Sequence, residues 1–280
     1  MSHHAGSRFL EIEDGATTFR TWLVYPTSEP AHDVRFGPFA ITVSPDAPLL
    51  ASNGRRPLVL VSHGTGSSPF LLRTLALRLV AAGFVVALVE HPGNHRGDDT
   101  LAGTDENLMN RPRHLRLALD AVARDEACGP NVATERVAVV GHSVGGYTAL
   151  ALAGGTPWSR SGERLATESD PRTAALVLLT PAVFWYVPDG ALRGVDVPIL
   201  AYAGEEDTTC PPWHIHLVHG SVRDRSKVIL RTLPHTGHLS VLAELPSTAA
   251  YRDPPGFDRA TVHDTLGTEI TAFLERAIRP

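Results

Sequence analysis

The sequence predicts an α/β fold, a doubly wound and mostly parallel sheet with helices on both faces, and three observations carry that prediction. Short apolar runs of strand length alternate with amphipathic stretches of helical period along the whole chain. The runs at 57–61, 84–89, 137–140 and 174–179 are built from Val, Leu, Ala and their like with no charge inside them, as strands covered on both faces require. Polar turns follow the strands at their C-terminal ends: S-H-G-T-G at 62–66, E-H-P-G-N at 90–94, G-H-S-V-G at 141–145, G-E-E-D at 204–207 and H-T-G-H at 235–238. Parallel strands joined by helices all point one way, so these turns gather on one edge of the sheet.

Composition bounds the rest. The chain has 280 residues with no compositional break, which predicts one domain over 1–280. Its 43% hydrophobic and 20% charged residues are ample for a core. A net charge of −5 with no basic run argues against a nucleic-acid or anionic-membrane partner. Residues 1–8 lack the apolar segment of a signal peptide, and no run reaches a membrane span, so a cytoplasmic protein is expected. Cys128 and Cys210 are the only cysteines, too few for a disulfide framework, and reduced thiols are expected.

In chain order, Phe9–Glu13 and Thr17–Tyr25 alternate as two edge strands joined through Asp14-Gly15. Residues 26–56 carry prolines at 26, 30, 38, 45 and 48, which exclude a helix and predict an ordered surface loop that lines the site. After the strand at 57–61, Ser68 is an N-cap and Pro69 the first position of a helix with Leu71, Leu72, Leu75, Leu79 and Val80 on one face, ended by Gly83. A strand follows at 84–89, and Asn110 with Pro112 starts a helix running to Arg124. Val137–Val140 leads through the G-x-S-x-G turn into a small-residue helix, and a loop from Gly154 to Arg172 leads to the strand at 174–179. The short interval before the strand at 197–202 leaves no room for a large cap. Trp213 lies in a short helix, Lys227–Leu233 forms the last strand, and Asp258–Ile278 is a closing amphipathic helix.

The chemistry is read from the turns. Ser143 stands at the apex of a strand-turn-helix, where flanking glycines let neighbouring backbone approach a strained residue. A serine hydroxyl is a weak nucleophile, so it needs a base within reach and a third group to hold that base. Asp207 and His238 follow the next strand ends, and the order Ser, Asp, His is that of the α/β-hydrolase fold. Glu205 and Glu206 compete with Asp207, which is favoured by the return loop at Pro211-Pro212; His235 competes with His238, which is favoured by Gly237 before it. The backbone N–H groups of Thr65 and Val144 are the candidate oxyanion donors. His63, Gly64, His91, His142, Trp185 and Trp213 are candidate substrate-pocket residues. His91 and His95 with Asp98 and Asp99 follow no familiar ligand spacing, so neither a metal nor any other cofactor is expected. Cys210, near the acid loop, reads as a small buried thiol.

These motifs resemble a family. V-L-V-S-H-G-T-G, A-A-G-F-V-V-A-L-V-E-H-P-G-N, V-A-V-V-G-H-S-V-G-G-Y-T-A-L, A-G-E-E-D and H-T-G-H are similar to segments of the bacterial α/β-hydrolases known as predicted dienelactone hydrolases and relatives of platelet-activating factor acetylhydrolase. The likeness runs from about Thr21 to the C-terminus and takes in Tyr25-Pro26-Thr27 and Arg35-Phe36-Gly37-Pro38-Phe39. By position it implies Ser143, Asp207 and His238 as a triad and the amides of Thr65 and Val144 as the oxyanion hole. Dienelactone hydrolases proper use a cysteine nucleophile; a serine at 143 points instead to a serine carboxylesterase. The expectation is a cofactor-free hydrolase of small-molecule esters with short to medium acyl chains. An amide, thioester or lactone hydrolase using the same triad, and a ligand-binding protein on a hydrolase fold, are the alternatives.

Overall fold

The computed structural model describes residues 3–245 and 250–279. Its backbone forms a ten-stranded sheet: β1 (His4–Asp14), β2 (Thr17–Thr27), β3 (His32–Phe36), β4 (Phe39–Pro45), β5 (Arg56–Ser62), β6 (Val85–Val89), β7 (Val132–His142), β8 (Thr173–Leu179), β9 (Ile199–Gly204) and β10 (Val228–Leu233). The spatial order is β10-β9-β8-β7-β5-β6-β2-β1-β4-β3. The six strands from β10 to β6 are parallel; β2 joins β6 antiparallel and pairs with β1 in a hairpin whose register closes at Asp14 opposite Thr17.

Among the described residues five helices cover the two faces: α1 (Arg73–Ala81), α2 (Asp105–Arg124), α3 (Val144–Leu152), α4 (Trp213–Ser221) and α5 (Arg259–Ile278). Successive residues of a strand face opposite ways, so Leu58 and Leu60 join the core beneath α2, α3 and α4, while Val59 and Val61 join the one beneath α1 and α5. Ser68 accepts from the N–H of Phe70 and starts a 3-10 turn, Pro69–Leu72, that runs into α1. The doubly wound, mostly parallel architecture is the one expected, and Thr180–Pro198, between β8 and β9, contains only a short 3-10 turn and no cap. No helix among the described residues is long and apolar enough to cross a membrane.

Three elements differ from expectation. The stretch 26–56 is not an irregular loop: β3 and β4 pair antiparallel from His32 opposite Val43 to Phe36 opposite Phe39. Pro26 and Pro45 stand at strand ends, Pro38 in the turn after Gly37, and Pro30 and Pro48 in the connecting segments, where no ladder N–H is needed. The hairpin extends the sheet beyond β1, so β1 and β2 are interior strands, and four strands separate it from β7, the strand that leads to Ser143. It does not line the Ser143 turn.

The third difference concerns α2, which begins at Asp105, capped by Thr104, with Asn110 and Pro112 inside it. Pro112 cannot donate to the carbonyl of Leu108, four residues back. That carbonyl accepts instead from the buried hydroxyl of Tyr147 on α3, at 3.1 Å. A tertiary contact supplies the bond the proline removes, and the helix continues.

Candidate active site

Ser143 is the residue between β7 and α3, with φ +54° and ψ −122°. Such a backbone costs about 1–3 kcal/mol for a residue with a Cβ. It is held from both sides: the Ser143 N–H donates to Leu179 O at 3.1 Å, and its carbonyl accepts from the N–H groups of Gly146 and Ala182, each at 2.9 Å. The glycines around it answer close approach. A Cβ on Gly141 would lie 2.1 Å from Gly145 O, one on Gly145 2.0 Å from Ser62 O, and one on Gly146 2.4 Å from the Pro181 side chain. Strand, turn and helix therefore meet with no space for a side chain.

Two strand-end loops are zipped together across the same edge. The N–H of Glu205 donates to Leu233 O at 2.9 Å and that of Glu206 to Thr236 O at 3.0 Å. Gly204 permits the contact, since its Cβ would stand 2.2 Å from Thr236 O. This pairing brings Asp207 to His238. Asp207 Oδ2 accepts from His238 Nδ1 at 2.8 Å, and His238 Nε2 lies 3.0 Å from Ser143 Oγ. With Nδ1–H committed to the carboxylate, Nε2 is the acceptor for the serine hydroxyl.

Asp207 is 3% exposed. Burial works against its charge, but the His238 bond and the N–H groups of Cys210 and Thr209, both 2.8 Å from Oδ1, outweigh it and hold the carboxyl below its usual range. Glu205 and Glu206 do not reach His238: Glu205 accepts from the N–H of His235, and Glu206 faces the His235 ring at 3.5 Å on the surface. Gly237 adopts no left-handed backbone; its Cβ would meet Tyr251 Oη at 2.3 Å, so it makes room for a neighbour rather than a turn. The left-handed residue of the loop is His235, with φ +51°.

Val144 N–H is the first of α3 and, like any first-turn donor, lacks an intrahelical partner. Thr65 belongs to the turn after β5, which is pressed against the elbow: a Cβ on Gly64 would lie 3.0 Å from His142 Nδ1 and 3.3 Å from Ser143 Cβ. Gly64, the residue before Thr65, and Val144 thus approach Ser143 from two different chain segments.

The histidines expected along a pocket are packed inside the protein. His63 and His91 are 1% and 0% exposed, in edge contact at 5.1 Å. His91 bonds Ser62 Oγ at 2.9 Å and His114 Nδ1 at 3.3 Å. His142 is buried with Nε2 donating to His238 O at 3.1 Å, so it braces the backbone of the His238 loop rather than facing solvent. All three rings are buried, His63 and His142 on backbone carbonyls and His91 on side chains. Among the described residues no three His, Cys, Asp or Glu side chains converge as metal ligands would.

Aromatic residues stand outside. Trp213, 43% exposed, packs edge-on with Phe184, 50% exposed, at 5.6 Å, and Trp185 lies against Tyr147 and Phe184. Phe184 is two residues past Ala182, whose N–H holds Ser143 O, so this cluster begins beside Ser143. Sequence reasoning missed Phe184, although the run F-W-Y at 184–186 after a strand end signalled it. Cys210 is the buried thiol expected near the acid loop, its N–H donating to Asp207 Oδ1. Burial with the nearby Asp207 charge pushes the thiol up to about 12, leaving it protonated and inert at neutral pH.

Comparison with known proteins agrees with the resemblance read from the motifs. Residues 27–128 match the family described as platelet-activating factor acetylhydrolase, isoform II, a segment that ends before Ser143. No curated protein sequence matches the chain. Among solved structures, a ferulic acid esterase from Streptomyces cinnamoneus is 20% identical, with 99% of this chain and 91% of that chain covered and a TM-score of 0.74. A dienelactone hydrolase-like promiscuous phosphotriesterase from metagenomic libraries is 18% identical over 99% of this chain and 100% of that chain, TM-score 0.67. A dienelactone hydrolase from Anabaena variabilis is likewise 18% identical over 99% and 100%, TM-score 0.61. At these identities the likeness is one of architecture, and the chain has the α/β-hydrolase fold that these three enzymes share.

Proposed function

We propose that the chain is a serine hydrolase that cleaves carboxylic esters of short to medium acyl chain through an acyl-serine intermediate. The observation that carries this reading is the unbroken chain Ser143 Oγ, His238, Asp207, with contacts of 3.0 and 2.8 Å, on a serine in strained backbone geometry. His238 Nε2 takes the hydroxyl proton as Ser143 Oγ bonds the ester carbonyl carbon. Negative charge gathers on the carbonyl oxygen between the amides of Thr65 and Val144, each such donor being worth roughly 100- to 1,000-fold in rate. As the tetrahedral intermediate collapses, the C–O bond to the leaving group breaks and the alcohol departs with the proton from His238. Water then enters, gives its proton to His238 and releases the acid, restoring Ser143. Asp207 keeps Nδ1 protonated and stabilises the imidazolium.

The aromatic cluster of Phe184, Trp185 and Trp213 is the proposed wall for the apolar part of the ester. Its partial exposure favours acyl groups of modest length. A fluorophosphonate probe should label the wild-type protein and not Ser143→Ala, and the same substitution should abolish hydrolysis of p-nitrophenyl esters of graded acyl length. Equal labelling or equal turnover in both proteins overturns the assignment.

A further inference from the structure

The proposed oxyanion donor Thr65 N–H belongs to the peptide group whose carbonyl is Gly64 O. That carbonyl accepts from His63 Nδ1 at 2.8 Å and from Ser67 N–H at 3.3 Å. The His63 tautomer is set from the other side: the backbone N–H of His91 points at His63 Nε2, at 3.4 Å, leaving the proton on Nδ1. A trans peptide is planar, with its N–H and C=O pointing opposite ways. Whatever fixes Gly64 O therefore fixes where the Thr65 N–H aims, and a donor on the carbonyl also makes that N–H a stronger donor.

His63 is in turn held by a guanidinium. Arg111 of α2 is completely buried, and its hydrogen bonds all go to neutral oxygens: Nη2 to His63 O and, at 3.2 Å, to Ser62 Oγ; Nη1 to Asn94 Oδ1 at 2.6 Å; Nε to Thr148 Oγ1 at 3.0 Å. Two of those partners lead to the oxyanion donors. Asn94 Nδ2 donates to Thr65 Oγ1 at 2.7 Å, and Thr148 Oγ1 donates to Val144 O at 3.0 Å, in the first turn after the nucleophile. A buried cation with four neutral acceptors is costly to maintain for stability alone. Here its rigid fork ties the β5 turn to helix α3, the two segments that carry Thr65 and Val144.

We propose that His63 and Arg111 are positioning residues: His63 sets the aim of the Thr65 amide through Gly64 O, and Arg111 locks the turn bearing it against the helix bearing Val144. The inference rests on the ester-hydrolase reading above, and labelling of the wild type by a fluorophosphonate tests that reading separately.

His63→Phe keeps a ring of similar size and removes the Nδ1–H, whereas His63→Asn restores an N–H near the same place. On a p-nitrophenyl ester, His63→Phe is expected to lower kcat by about 100-fold with KM little changed, the scale of a misdirected catalytic group. Affinity for an alkyl boronic acid, whose tetrahedral adduct on Ser143 fills the oxyanion hole, should fall with kcat, and His63→Asn should recover most of both. Arg111→Lys, which keeps the charge but not the fork, should show the same coupled loss and stands in should His63→Phe not fold. A folded variant with unchanged kcat, or a loss of kcat with boronate affinity intact, or no recovery in His63→Asn, overturns the proposal. A wild type that neither reacts with the probe nor hydrolyses esters removes the reading beneath it instead.

Discussion

Lowering the pH from 7 to 5 should cost this protein several kcal/mol of stability, because the rings of His63, His91, His114 and His142 are buried as neutral imidazoles. Burial pushes His114 and His142 down to about 3 and holds His63 and His91 well below the ordinary imidazole range; the Arg111 charge adds to the effect on His63, His91 and His114, and that of His238 on His142. Asp14 lies 3.5 Å from His114 Nε2, which does not reverse the balance. In the unfolded chain each ring binds a proton below about pH 6.5, so the unfolded state carries more protons and is favoured as pH falls. The stability is fully present above that pH and is lost progressively on going down toward the folded values. Well below pH 6.5 each ring contributes a slope of about 1.4 kcal/mol per pH unit. From pH 7 to pH 5 that is about 2 kcal/mol per ring and about 8 kcal/mol for the four, an upper figure comparable with the whole stability of a typical domain. Urea unfolding followed by circular dichroism at half-unit steps from pH 7.5 to pH 5 measures the slope. A midpoint that does not move between pH 6.5 and 5, or a slope equivalent to fewer than about two protons, refutes the argument.

Three further outcomes follow from single contacts. Tyr147→Phe removes the donor to Leu108 O and should destabilise by about 1–3 kcal/mol; in a Pro112→Ala background, where residue 112 supplies its own N–H, the same change should cost measurably less in urea melts. Gly145→Ala drives a Cβ to 2.0 Å from Ser62 O, a backbone atom that cannot move aside, and should lower stability by about 4 kcal/mol or abolish soluble expression, as a thermal melt would reveal. Phe184→Ala opens the proposed acyl wall and should raise KM about 10-fold for p-nitrophenyl hexanoate while leaving the acetate within about 2-fold, a contrast steady-state kinetics on the two esters would read directly.

What the sequence determined is local in character. The alternation of strand and helix, the G-x-S-x-G turn and the chain order of Ser143, Asp207 and His238 are legible because period, turn residues and strand ends are properties of neighbouring positions. Asp207 could be separated from Glu205 and Glu206, and His238 from His235, only by weak loop arguments; the zipping of the 205–206 and 233–236 backbones selects one of each by geometry. From the sequence the loop 244–257 is a candidate to narrow the site, and residues 246–249 of it lie outside those described. The remaining decisions were tertiary. Pro112 stays helical because a tyrosine on another helix satisfies Leu108 O. The prolines of 26–56 permit a hairpin whose Phe36 and Phe39 rings find Phe70, a residue far along the chain. His63 and His91 are drawn inward because Arg111 reaches Ser62 and His63 O from beneath the sheet edge. A hydrogen bond or a buried face depends on the partner that arrives in space, and a pattern of neighbours along the chain does not contain that partner.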